Sequence, residues 1–281
     1  MEEGSMVVKS KVITMTTWRR PHMFKSVLDS LAKCDGIQDY TILNVMDKDM
    51  AQPYARKFHE KVIAQHPLRD QIITHASDVN LGCCRNTWRA LKLGFEMADN
   101  FLIYIEDDDI VSPDYLRYME YSNETFKDDL DVFCVVGYNR RLEADKEREI
   151  ALVGKRKSPR SYLAWGTWRR IWNELENDWF GIHWADGYKH PDDNALAPEG
   201  DEFIKVTKQF RDERFGDGSW GYPLLKWFPK GRLEVYPYIS RCQNIGSTMG
   251  RFNSSPAWHR EWIHTPVYAE DLRADKFEFV P

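Results

Sequence analysis

From Val12 to Val136 the chain repeats one pattern: a short run rich in β-branched and aromatic residues, then a longer stretch with apolar residues three and four apart. Val12–Thr16, Tyr40–Met46, Gln71–His75, Phe101–Ile105 and Val132–Val136 read as strands. Between them Pro21 to about Lys33, Tyr54–Gln65, Arg85–Met97 and Asp114–Thr125 read as helices. Phe24, Val27, Leu28 and Leu31 form one helix face, and Trp88, Leu91 and Phe95 another. Strands separated by helices at this spacing predict an α/β fold, a mostly parallel twisted sheet flanked by helices. Strands so uniformly apolar want both faces covered.

After Gly137 the pattern changes. Arg140–Arg160 is charge-dense and reads as an exposed loop; its basic part, Lys155–Arg160, suits a lid over a ligand or a dock for an anionic acceptor. Leu163–Asp178 reads as a Trp-rich helix, Pro191–Arg214 as a polar insertion, Trp220–Phe228 as a short amphipathic segment and Leu233–Tyr236 as a late strand. With no internal repeat and no low-complexity linker, residues 1–281 are expected to form a single domain. About 7–137 would make one half, and about 138–281 a smaller C-terminal region and tail.

The run Phe101-Leu-Ile-Tyr-Ile-Glu-Asp-Asp-Asp109 places four consecutive carboxylates at the tip of the fourth strand. Acids so close repel one another unless a positive charge lies among them, and a divalent cation with bound phosphates meets that need. Pro113, with Ser112 as cap, is expected to open the next helix. The acids then face the crevice at the carboxyl ends of the strands, where open α/β sheets bind ligands. By strand alternation Glu106 and Asp108 would share one side, and Asp107 and Asp109 the other. Other chemistries find little support. Gly216-Asp-Gly-Ser-Trp-Gly221 has glycine-fingerprint spacing, but a charged segment precedes it and Pro223 follows where a helix should begin. His59-Glu60 lacks the second His of a zinc-protease helix, and no Ser sits in a nucleophile elbow.

Ile105-Glu-Asp-Asp-Asp-Ile-Val-Ser-Pro-Asp-Tyr115 resembles the metal-binding segment of GT-A-fold (Rossmann-like) glycosyltransferases, in particular the N-acetylglucosaminyltransferase I type and the broad inverting family. Thr16-Thr-Trp-Arg-Arg-Pro21 is similar to that group's nucleotide-binding first loop, and Asn44-Val-Met-Asp47 to the strand end that reads the base. Asn80-Leu-Gly82 with Arg85-Asn86 resembles the donor-binding segment, and Leu163-Ala-Trp-Gly-Thr-Trp168 the acceptor-side segment. Asp217-Gly-Ser-Trp220 and Gln243-Asn-Ile-Gly246 resemble late pieces of the same families.

The resemblance implies a metal-dependent transferase moving a sugar from a nucleotide-diphosphate sugar, UDP-sugar favoured, to a hydroxyl acceptor with inversion. The acceptor would be a saccharide, a lipid-linked saccharide or a modified DNA base. Asp108 would ligate Mn2+ or Mg2+, Asp107 touch ribose or sugar, Glu106 orient the sugar, and Asp109 support them. Thr16, Arg19, Asp47 and Arg85 would contact the donor, and Trp165 and Gly166 the acceptor. Asp217 would be the general base, with Asp186, Asp192, Asp193 and Asp212 as alternatives, since the families place that acid nearer the Trp. His259 and His264 of the tail are further candidates to reach back to the metal or the diphosphate. The competing readings are a non-catalytic nucleotide-sugar-binding module and a nucleotidyltransferase; the latter usually needs a glycine-rich first loop, which Thr16–Pro21 lacks.

Eleven Trp suit sugar rings as well as cores, and a formal charge of −5 disfavours non-specific nucleic-acid binding by net charge. No stretch reaches the roughly 20 apolar residues of a membrane span. Five cysteines without metal-ligand spacing, and a start without a signal-peptide pattern, predict a cytoplasmic protein with reduced thiols.

Overall fold

The computed structural model describes residues 11–49, 52, 54–139, 150–157, 163–176, 179, 211–212, 216–217, 232–247 and 272–281. The first half follows the sequence pattern closely. Strand β1 (Lys11–Thr17) leads to helix α1 (Pro21–Leu31), β2 (Tyr40–Met46), α2 (Ala55–Gln65), β3 (Ile72–Ala76), α3 (Gly82–Met97) and β4 (Phe101–Glu106). A short β5 (Asp109–Val111) precedes α4 (Tyr115–Phe126) and β6 (Val132–Val136). Beyond these lie β7 (Ile150–Arg156), β8 (Trp165–Trp168), α5 (Arg169–Leu175), β9 (Arg211–Asp212), β10 (Gly216–Asp217), β11 (Leu233–Pro237), β12 (Cys242–Asn244) and β13 (Lys276–Phe279).

Nine strands form one sheet in the order β13-β7-β11-β6-β8-β4-β1-β2-β3. β3, β2, β1 and β4 are mutually parallel, as are β6 with β11 and β7 with β13. β8 runs antiparallel between β4 and β6. The chain builds outward from β1 to β3, then returns to add β4 on the other side of β1. That reversal makes a switch point, and it opens a crevice at the carboxyl ends of β1 and β4. There Thr16 lies in register with Glu106.

Alternation divides the core between the sheet faces. Ile13, Met15, Ile103 and Ile105 pack with Phe24, Val27, Leu28, Leu116 and Met119 of α1 and α4. Val12, Leu43, Val45, Leu102 and Tyr104 pack with Leu91 and Phe95 of α3 and Trp172 of α5. Each such side chain, fully buried, contributes roughly 1.5–3 kcal/mol, which favours the sheet as a two-sided layer.

Three expectations are corrected. The Trp-rich segment starts as a strand: Trp165–Trp168 pairs with β4 and β6, and helix begins only at Arg169. Trp165 and Trp168 fill opposite core layers, and two unsatisfied sheet edges outweigh a short helical pattern. The basic loop is in part the strand β7. Lys155 pairs with Asp129 at 3.0 Å, and Arg156 pairs with the buried Glu234 and lies over the Tyr236 ring. These two charges are satisfied inside the fold and are not a free lid; Pro159 and Arg160 lie outside the described residues. Finally, α4 runs within one residue of the expected Asp114–Thr125, but Pro113 precedes it rather than opening its first turn. The Ser112 hydroxyl donates to Asp114 at 2.6 Å instead of capping the helix.

A buried ion pair ties the late strands to this helix start. Arg241 and Asp114 are nearly inaccessible and 3.2 Å apart, and Asp114 also accepts from the backbone N–H of Ala274 at 2.8 Å. Removing either partner strands a buried charge. Asp114→Leu or Arg241→Met is expected to lower unfolding free energy by about 3–5 kcal/mol in urea titrations. The combined Asp114→Leu/Arg241→Met variant should lose less than the two single losses together. Additive losses would show that the two charges do not act as a pair.

Candidate functional site

The acidic tip sits at the switch point. β4 ends at Glu106, so Asp107 and Asp108 occupy a turn and strand alternation stops there. The expected split into two pairs of acids is therefore overturned. Oxygens of Glu106, Asp108 and Asp109 converge within 4.8 Å of one another, while Asp107 and Asp108 both face Arg20. The Arg20 fork donates Nη1 to Asp108 Oδ2 at 2.6 Å and Nη2 to Asp107 Oδ1. Arg20 stands directly before Pro21, which opens α1, so helix start and acidic turn are joined through one side chain. Like charges about 4–5 Å apart repel by roughly 3–4 kcal/mol at an effective dielectric near 20, and one guanidinium cannot balance four acids.

Burial raises the carboxyl pKa values of Asp107 and Asp109. It pushes the Asp107 carboxyl upward against the pull of Arg20, and the charge of Asp108 adds to the rise. Asp109 is completely buried and pushed upward by burial first and Asp108 second. Its oxygens accept from Asn244 Nδ2 at 2.8 Å and from the Ala164 backbone N–H at 3.2 Å. Asp109 thus anchors the back of the turn. Ala164 holds φ +44°, a left-handed conformation that is strained for a side-chain-bearing residue. Its carbonyl accepts from Gly137 N–H and from the Tyr115 hydroxyl, which fix it there.

The late segment closes over the acids. β12 pairs with β5, setting Asn244 opposite Asp109. The Ile245 N–H donates to the Asp108 carbonyl at 2.8 Å. At Gly246 an added Cβ would lie 1.9 Å from Asp108 Oδ2 and 3.1 Å from Arg20 Nη1. Only a residue without a side chain leaves the Asp108 carboxylate its position.

The other expected residues form a neighbouring group at the end of β2. Asp47 accepts from the backbone N–H groups of Leu81, Gly82 and Lys48 at 2.7, 2.9 and 2.8 Å. It thereby ties the start of α3 to β2. Burial pushes its carboxyl up to about 6 despite these donors. Arg85 is buried, donates Nε to the Leu81 carbonyl at 2.8 Å, and lies close enough to Asp47 to favour its charge. Arg19 pairs with Asp49 at 3.2 Å and stacks on Trp18, its guanidinium carbon 3.5 Å from the ring centre. Thr16 shares a hydrogen bond of 2.7 Å with the Tyr104 hydroxyl.

Trp165 and Gly166 are placed elsewhere. Trp165 is 1% exposed and packs on Tyr104, and a Cβ at Gly166 would meet Phe101 and Met119. Both belong to the core between β4 and β6; what this segment presents to the acids is the Ala164 N–H. Asp217 and Asp212 are described only by the backbone pairing of β10 with β9. Asp186, Asp192, Asp193, Trp220, His259 and His264 lie outside the described residues.

Asn244 and Ala164 are the site residues that sequence reasoning did not single out, while Arg20 enters it beside Arg19 as a basic residue on the crevice edge that would complement the diphosphate. Asn244 and Gly246 were visible as a family-like tetrapeptide, but their contact with the acids depends on the β5–β12 pairing. Arg20 was one of two adjacent arginines, and only the turn into α1 decides which reaches the carboxylates.

The acidic turn fits a hard divalent cation. Three carboxylates converge, and Asp107 Oδ2 is buried with no hydrogen-bond partner among the described residues. Neither a family model nor a curated protein matches the chain. Among solved structures it is similar in part to S. aureus TarS, at 14% identity over 60% of this chain and 49% of that one, with a TM-score of 0.42. Mannosyltransferase PcManGT from Pyrobaculum calidifontis, in complex with GDP-Man and Mn2+, aligns at 12% identity over 59% and 46%, TM-score 0.41. An active-site mutant of LgtC aligns at 13% identity over 60% and 63%, TM-score 0.36. The chain spans less than two thirds of the length of each, and about a third of TarS in complex with UDP.

The crowding at Gly246 is directly testable. Gly246→Ala is expected to cost about 1–3 kcal/mol of stability through overpacking against a carboxylate that Arg20 already holds. Urea unfolding measures it, and a variant as stable as the parent would show that Asp108 is not confined there.

Proposed function

We propose that this chain is a glycosyltransferase that takes its sugar from a nucleotide-diphosphate donor, UDP-sugar favoured, and transfers it with inversion to a hydroxyl-bearing acceptor. The observation that carries the reading is the acidic turn at the carboxyl end of β4, at the switch point of a mostly parallel sheet. Bound Mn2+ or Mg2+ would be held by Asp108 with Glu106 or Asp109, and would supply countercharge for the departing diphosphate.

The chain's own residues have separate tasks in this account. Asp107 is assigned to the ribose or sugar hydroxyls, and Glu106 to orienting the sugar. Asp47, whose oxygens already accept the Leu81 and Gly82 N–H groups, positions the start of α3 beside the proposed donor-binding edge. Arg85 and Arg19 add positive charge on the same edge. Inversion requires a base on the face opposite the leaving group. Asp217 is the proposed base, taking the acceptor hydroxyl proton as its oxygen bonds to the anomeric carbon and the bond to the β-phosphate oxygen breaks. Five free cysteines accord with a reducing, cytoplasmic setting. No helix among the described residues is long and apolar enough to cross a membrane.

The test is metal-dependent consumption of a panel of nucleotide sugars, with hydrolysis to water as the fallback acceptor reaction. Asp108→Ala should abolish turnover in Mn2+ while leaving the fold cooperative. Asp217→Asn should lower kcat by at least about a hundredfold. Full activity of Asp108→Ala without metal contradicts the metal assignment, and an unaffected Asp217→Asn contradicts the base.

A further inference from the structure

The Arg20 fork occupies the carboxylate that the proposed cation would need, and this contact carries a consequence for metal loading. Arg20 is 13% exposed at its side chain, Asp107 6% and Asp108 9%, so the contact is shielded from solvent screening. The Asp108 Oδ2 that accepts from Nη1 is the atom pressed against Gly246, and it cannot rotate freely to offer its other face. Asp109 is held from behind by Asn244 and Ala164, and Glu106 by its register beside Thr16. The acids are therefore organised around a positive charge supplied by the chain itself.

Resting on the reading of this turn as a divalent-cation site, we infer that Arg20 is its resident countercharge, and that an entering cation competes with the guanidinium for Asp108, the one acid that belongs both to the converging set and to the Arg20 fork. Arg20 is then a positioning residue. It keeps mutually repelling acids assembled before loading, and it sets the metal concentration at which the site fills. Either of two geometries gives the same sign. If the ion takes Asp108 Oδ2, the fork must leave; if it takes another oxygen, a fixed positive charge remains beside it. Even with bulk-water screening, a unit charge about 5 Å from a divalent ion weakens its binding on the order of tenfold. Asp107 Oδ2, without a hydrogen-bond partner among the described residues, fits this account, since Arg20 bonds only the other oxygen of that carboxylate.

The probe is Mn2+ alone, titrated into the full chain with free ion counted by electron paramagnetic resonance. Arg20→Gln is expected to bind Mn2+ roughly tenfold or more tightly than the parent. Arg20→Lys, which keeps the charge but loses the fork, should stay within about threefold of the parent. The gain in melting temperature on adding Mn2+ should be larger for Arg20→Gln, because its metal-free acids lack a countercharge. A second readout needs no folded variant: in the parent, saturating Mg2+ should shift the Arg20 guanidinium nitrogen resonances. Arg20→Gln binding equal to or weaker than the parent, or resonances unmoved by Mg2+, overturns the competition. Parent binding lost in Asp108→Ala would in that case leave the cation site itself standing. Absence of Mn2+ binding in the parent overturns both.

Discussion

One guanidinium spanning two adjacent carboxylates joins the first loop of the sheet to the turn after its fourth strand. Arg20 lies at the mouth of α1, Asp107 and Asp108 at the tip of β4, and the parallel pairing of β1 with β4 brings these ends side by side. Without that bridge four acids would share a small volume with no positive charge from Arg20 to offset their repulsion. With it, the turn is a charged, ordered surface facing the crevice where the strand order reverses.

Behind this surface the acids are fastened by groups from two distant parts of the chain. Asn244 and Ala164 hold Asp109, the Ile245 N–H holds the Asp108 carbonyl, and Gly246 leaves room for its carboxylate. The buried Arg241–Asp114 pair, just before β12, locks the same late segment to the start of α4. Buried polar groups of this kind cost heavily when half-satisfied, so the network favours one arrangement over many. The strained Ala164 backbone is part of that arrangement, held by the Gly137 N–H and the Tyr115 hydroxyl.

Much of the first half was legible in the sequence, because local pattern and tertiary role agree there. The strand Val132–Val136 appears with the bounds its apolar run implies, and α1, α2 and α3 fall within a few residues of their periodic stretches. The later half was less legible because its structure is settled by long-range pairing. Trp165–Trp168 reads as the opening of the Trp-rich helix that follows it, yet two open neighbours, β4 and β6, make a strand the better solution. Lys155 and Arg156 look like solvated charge until Asp129 and Glu234 are brought opposite them. At the site, the acids announced themselves, but the alternation rule failed beyond Glu106 because a turn has no strand period. The choice of Arg20 over Arg19 rests on backbone direction at α1, which no local propensity encodes.

The central claim is that this turn exists to hold a doubly charged ion beside a nucleoside diphosphate. Crystals grown with Mn2+ and a nucleotide sugar, measured near the manganese absorption edge, address it most directly. The account predicts a single strong anomalous peak within bonding distance of an Asp108 oxygen, with the diphosphate on its other side. Nucleotide bound in the crevice with no anomalous peak at Asp108, or a peak ligated elsewhere, would contradict it.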